Sequence, residues 1–217
     1  LGFDDKSFIL PELFEKEIYI ENCKKREQFL FEMPAINLQE QREVIRLTIN
    51  DRCEKVAEIV NNSKEPFLVW CNLNDEGKLL NKLITDSQEV SGSDSDEKKE
   101  EKLYNFSKNK FRVLITKPKI GAFGLNFQHC NNMTFFLSHS FEQYYQGVRR
   151  CWRFGQKKTV SVYVITTQGE TQIFKNLQRK QKQANEMFDN IIKNMQNILK
   201  IKTENNFNKK IEVPEWL

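Results

Sequence analysis

The sequence predicts an α/β fold of three layers, with a mostly parallel sheet between helices. Three observations carry that expectation. Short apolar runs of strand length recur at Phe67 to Cys71, Phe111 to Ile115 and Met133 to Leu137, followed by the β-branched stretch Thr159 to Ile165. Helical patterns fall between these runs, so strand and helix alternate. Phe67 to Cys71 is also apolar throughout, as a strand buried on both faces should be. The repeat amounts to roughly five or six strands.

The elements follow in order. Residues 1–36 carry little pattern beyond a short strand at Ile18-Tyr19-Ile20 and a turn at Met33-Pro34-Ala35. From Asn37 to Asn62 the period is helical, with Asn50 or Asp51 capping a second helix that runs to Asn61. Pro66 breaks the chain before the first buried strand. Gly77 to Thr85 reads as a helix, and Glu89-Val90-Ser91 as a strand ending at Gly92. Asp94, with Glu97 three residues on, starts a helix that buries Leu103, Tyr104 and Phe106 or Phe111. The charge run from Asp94 to Lys102 is its solvated face. Ser140 and Gln143 form a capping box for a further helix that ends at Gly155-Gln156, with Tyr145, Val148 and Trp152 on its apolar side. A stripe of Met187, Phe188, Ile191, Ile192, Met195, Ile198 and Leu199 reads as core covering a sheet edge, and Asn205 to Leu217 as a loose end.

At 217 residues the chain accommodates one well-packed domain with appendages, or two small ones. Hydrophobic residues at 39% against 29% charged give a globular balance, and no window is apolar enough to span a membrane. The start, LGFDDKSFIL, lacks a secretory signal pattern. A net charge of +4 means that any basic face must come from placement. The five cysteines, odd in number and without a C-x-x-C pair, read as reduced buried thiols of a cytoplasmic protein. His129-Cys130 finds no further ligands for zinc. No G-x-x-x-x-G-K-[ST] loop occurs, nor a strand ending in an Asp-Glu pair, so the chain holds no complete nucleotide-hydrolysing site. The first residue, Leu, suggests a piece of something longer.

Two stretches carry chemistry. On a helix starting at Ser140, Gln146, Arg150 and Arg153 fall on one face at i, i+4 and i+7. Two guanidiniums a turn apart repel unless an anion lies between them, and phosphate suits their planar forks. The second stretch is Thr116 to Asn126, at the carboxyl end of a parallel strand, where such sheets place ligands. Gly121 and Gly124 let the backbone approach a phosphate, and Thr116, Lys117 and Lys119 add a hydroxyl and two charges.

Gln146-x-x-x-Arg150-x-x-Arg153-x-Gly155-Gln156 resembles motif VI of the superfamily 2 helicases and translocases, in the form used by the Swi/Snf-like branch. Gly124-Leu125-Asn126 is similar to the core of motif V. Phe67 to Cys71 looks like the motif IV strand, and Gly169-Glu170-Thr171 with Arg179-Lys180 resembles the end of a Swi/Snf-type lobe. The wording from Ser91 to Gln156 is nearest to phage- and prokaryote-type helicases. Departures are Thr116-Lys117-Pro118-Lys119-Ile120-Gly121 in the lead into motif V, and Ser138 near the place of a family Asp.

The resemblance implies a RecA-like α/β/α lobe at residues 50–180, the second of two. Residues 1–49 would then be a connector with helical segments, and residues 181–217 a terminal helix and tail. It implies that Arg150 and Arg153 reach ATP, one as an arginine finger, with Gln146, Gly124, Asn126 and Gln156 near the nucleotide. Thr116, Lys117, Lys119 and Gly121 would touch the nucleic-acid backbone, with double-stranded DNA the expected partner and no membrane involved. ATP and Mg2+ would be bound mainly by a first lobe of the same parent chain, leaving this part inactive alone. A non-catalytic nucleic-acid-binding or regulatory lobe is the alternative, and a flavodoxin-like domain with chance matches a third reading.

Overall fold

The structure, a computed structural model, describes residues 10–20, 45–121, 125–138, 140–167 and 170–207. The chain divides into two compact units, Leu1–Asn176 and Leu177–Leu217. The first holds a sheet whose six strands, among the described residues, are all parallel: β1 Leu13–Ile20, β2 Phe67–Trp70, β3 Ser87–Val90, β4 Val113–Thr116, β5 Asn132–Phe136 and β6 Val160–Thr167. The helices are α1 Ile49–Asn61, α2 Asn74–Leu83, α3 Asp96–Ser107, α4 Pro118–Gly121, α5 Phe141–Val148 and α6 Thr171–Phe207. The strand order is β1-β6-β5-β2-β4-β3. The connection from β4 to β5 therefore passes over β2, at the place where the sheet changes direction. That connection contains the glycine-bearing stretch, in the position where parallel sheets open a crevice.

The apolar runs become the strands that burial requires. All four residues of β2 and all four of β4 are buried, and β2 lies between β4 and β5. Helix α1 turns Cys53, Val56, Ala57 and Val60 inward at helical spacing. They join Phe67, Val69, Leu80, Ile115, Phe136 and Ile165 in one core. Burial pushes the Cys53 thiol up to about 12, which keeps it protonated. Cys53, Cys71, Cys130 and Cys151 are all free and buried; Cys23 lies outside the described residues.

Several expectations change. The strand expected at Ile18 to Ile20 is eight residues long and pairs with β6 throughout, so the sheet begins inside the stretch read as connector. Helix α3 is capped by Ser95, whose hydroxyl accepts from Lys98 N. Asp94 instead pairs with Lys102 at 2.9 Å, and its carboxyl is held below the usual range by that hydrogen bond. Tyr104, expected inside, is 57% exposed, because Leu103, Phe106 and Phe111 fill the space under α3.

The second unit is the run of α6 from Leu177 onward. Of its apolar stripe, Met187, Phe188, Ile191 and Met195 are between 41% and 64% exposed, and the side chains of Ile192, Ile198 and Leu199 lie outside the described residues. Among the described residues no helix is long and apolar enough to cross a membrane.

Candidate nucleotide and nucleic-acid site

Helix α5 begins as its first residues dictate. Ser140 Oγ accepts from Gln143 N at 3.3 Å. The return half of the capping box runs through a third residue: Ser138 Oγ donates to Gln143 Oε1 at 3.3 Å and accepts from Ser140 N at 3.4 Å. The buried face is Tyr144, Gly147 and Val148, rather than Tyr145, Val148 and Trp152. Gly147 is needed there because a Cβ would stand 2.6 Å from Phe135 Cζ and 3.3 Å from the Trp70 ring. Its absence lets α5 lie close on β5 and β2, where Trp70 stacks on Phe135 and Phe135 meets Tyr144 edge-on.

The regular helix ends at Val148, seven residues before the glycine expected to end it. Arg149 N still donates to Tyr145 O and Trp152 N to Val148 O, each at 3.0 Å, so one irregular turn keeps Arg150 a turn below Gln146. At Arg153 the pattern breaks, with its N–H bonded to Cys151 O, and Gly155 turns the chain at φ +90°. Helical spacing thus accounts for Arg150 but not for Arg153. The two charges still sense each other: burial first, and then the Arg153 charge, lower the Arg150 pKa.

This arginine turn is tied to the segment leading into β5. Arg150 Nη1 donates to Leu125 O at 3.3 Å, and Phe127 N donates to Arg150 O at 3.0 Å. Gln156 is buried; its amide nitrogen donates to Gln128 O and Cys130 O, and its oxygen accepts from Lys158 N. Both ends of that side chain are therefore engaged within the protein, a bracing role in this arrangement rather than a ligand-facing one. Gln128 Nε2 donates to Phe154 O and completes the stitching. Asn126 is exposed and turns its oxygen to Gln128 N, while Gln146 accepts a place against Glu142 at 3.0 Å by donating its amide.

The residues expected at the nucleic-acid backbone differ in exposure. Thr116 ends β4, is fully buried, and donates its hydroxyl to Val90 O at 3.2 Å, so it faces β3 rather than an outside phosphate. Lys117 is half-buried and donates to Asn74 Oδ1 at 2.6 Å, while Lys119 is exposed. Gly121 closes the short helix α4 where a loop was expected, and Gly124 lies outside the described residues. The lysines stand at the carboxyl end of β4, and the arginine turn stands beside the residues entering the amino end of β5. Helix α4, which carries Lys119, packs on α5.

Two features escaped the motif reading. Arg149 lies over the rings of Trp152 and Tyr145, at 4.4 and 5.1 Å. Arg52 lies buried on the apolar stripe of α1 and meets buried Glu76 at 2.7 Å. A charge placed i, i+4, i+8 with Val56 and Val60 was the available signal for that pair.

Residues 51–155 match the family described as helicase conserved C-terminal domain. That match covers just under half of the chain. Solved structures agree on the fold. The C-terminal part of the Fun30 ATPase domain aligns at TM-score 0.51 and 21% identity, over 60% of this chain and 45% of that one. T4 UvsW aligns at 0.54 and 14%, over 72% and 33%. A DEAD box protein from the hyperthermophile Methanococcus jannaschii aligns at 0.53 and 22%, over 61% and 37%. This chain thus spans less than half the length of each of these structures. No curated protein sequence matches it.

Proposed function

We propose that this chain is the second motor lobe of an ATP-dependent nucleic-acid helicase or translocase of Swi/Snf-like type, acting on double-stranded DNA. The single observation that carries the reading is the stitching of the arginine turn to residues 125–130, through Arg150 to Leu125 and Gln156 to Gln128 and Cys130. A guanidinium pair engaged with a nucleotide would move that segment, and through it the β4–β5 connection, as one piece. Arg150 and Arg153 neutralise charge on the phosphates, while Gln156 braces the turn that presents them. ATP supplies the phosphoanhydride whose cleavage drives movement. The guanidiniums fit its phosphates, whereas the phosphate loop and the Mg2+ carboxylates come from a first lobe of the parent protein, without which this lobe does not turn over ATP. Lys117 and Lys119 face the nucleic-acid backbone, so recognition carries little sequence preference.

Arg153→Ala in the parent protein tests the reading, since Arg150 also holds Leu125 and is the less clean choice. Nucleic-acid-stimulated ATP turnover should fall on the order of 10³- to 10⁵-fold, as for arginine fingers in other NTPases. Turnover within a few-fold of the unaltered protein would overturn it. On the nucleic-acid side, Lys119→Gln should make the salt dependence of binding shallower by about one phosphate contact, and an unchanged slope removes Lys119 from the interface.

A further inference from the structure

The arginine turn is also fastened on its other side, by contacts that the proposed chemistry does not use. Trp152 Nε1 donates to Pro11 O at 2.7 Å. The Tyr144 hydroxyl, on a buried side chain, donates to the Glu15 carboxylate across 129 positions of sequence. Val160 N donates to Glu12 O at 2.9 Å, and the eight-residue ladder of β1 on β6 begins at that point. One anchor therefore lies on α5 ahead of Arg150, the second between Arg150 and Arg153, and the third after Gln156. Residues 149–155 form turns and bends rather than regular helix, so these outside contacts add to the few backbone bonds within the turn. The Trp152 ring is itself steadied by the Arg149 guanidinium lying over it.

We propose that Tyr144 and Trp152 are positioning residues that latch the arginine turn to strand β1, so that β1 sets where Arg150 and Arg153 are presented. The inference rests on the motor reading above and adds the element that controls the arginines. A displacement of about 1 Å in a catalytic group can cost on the order of a hundredfold in rate, so a latch of this kind acts on turnover more than on folding.

The test uses Trp152→Phe, which keeps a ring and loses the N–H, and Tyr144→Phe, which loses only the hydroxyl, both in the parent protein. Amide exchange from Arg150 to Gln156 should accelerate about tenfold in each, the loss of one hydrogen bond. The kcat for ATP should fall roughly tenfold or more with KM nearly unchanged, and the thermal midpoint should hold within a few degrees. Unchanged exchange overturns the latch. So does faster exchange with kcat intact, in a protein that Arg153→Ala silences. If Arg153→Ala leaves turnover intact, the motor reading falls and the positioning role falls with it, a result distinct from the other two.

Discussion

Arg52 and Arg150 carry the same side chain within one lobe, and the fold surrounds them differently. Arg52 is 1% exposed; its Nε donates to Thr48 Oγ1 at 3.2 Å, its Nη2 to Ile45 O at 2.8 Å and Glu76 at 2.7 Å, and the Phe136 ring lies beneath at 4.7 Å. Glu76 in turn accepts from the backbone N–H groups of Asn72 and Leu73, both at 2.8 Å, and so fixes the entry into α2. Arg150 is half-buried, reaches a carbonyl at Leu125, and has a second arginine close enough to lower its pKa. A charge matched by a carboxylate and removed from water serves the fold. A charge set beside a like charge at the surface suits an anion brought from outside, which is the part the motor reading gives it.

The largest expected effect would break or confirm the first half of that contrast. Glu76→Ala leaves Arg52 buried without its carboxylate and should cost about 3–5 kcal/mol in urea denaturation. A loss under about 1 kcal/mol would mean that Arg52 is not held by charge, and the two arginines would no longer differ in kind. Next comes the seat of the arginine turn. Gly147→Ala forces a methyl into Phe135 and should destabilise by about 1–3 kcal/mol, with the Trp70 and Phe135 signals shifting in an aromatic NMR spectrum. An unmoved spectrum would show α5 free to shift off β5.

A smaller effect concerns Glu170, which shares the surroundings of Arg52. It is 1% exposed, and Oε2 accepts from Thr167 N and Oγ1. Burial raises its pKa from about 4.5, against the lowering pull of Arg52. The folded chain therefore holds this proton more tightly than the unfolded chain does. Its stabilising contribution is complete below about 4.5 and declines as pH rises through the folded value. Glu170→Gln should remove that decline, and denaturation curves across pH that run parallel in the two proteins would refute it. The smallest effect completes the comparison: Arg153→Ala should move the denaturation free energy by no more than about 0.5 kcal/mol. A loss as large as that of Glu76→Ala would make the arginine turn a structural feature too.

Much of the fold was legible because burial on both faces leaves little freedom in the residues allowed. The runs at Phe67, Phe111, Met133 and Thr159 became β2, β4, β5 and β6 with ends shifted by a residue or two. Strand β1 was largely missed because its pattern is inverted at the start. Phe14 is exposed and Glu15 is turned inward, an arrangement that makes sense only once Tyr144 is known to meet that carboxylate. The site was legible as residue types and less so as geometry. Gln156 was placed near the nucleotide by the family resemblance; folding binds its amide to Gln128 and Cys130, and encloses Thr116 against Val90.

The alternation of strand and helix, the arginine pair and the glycine that closes its turn are written in the residues themselves. Those follow from local rules, namely apolar period, capping and the conformations that only glycine adopts readily. The tertiary structure alone decided which charges are matched, which face of α5 is covered and what β1 holds. Those outcomes depend on partners far away in the chain, Glu76 for Arg52 and Glu15 for Tyr144, and no local pattern records a partner that only folding brings near.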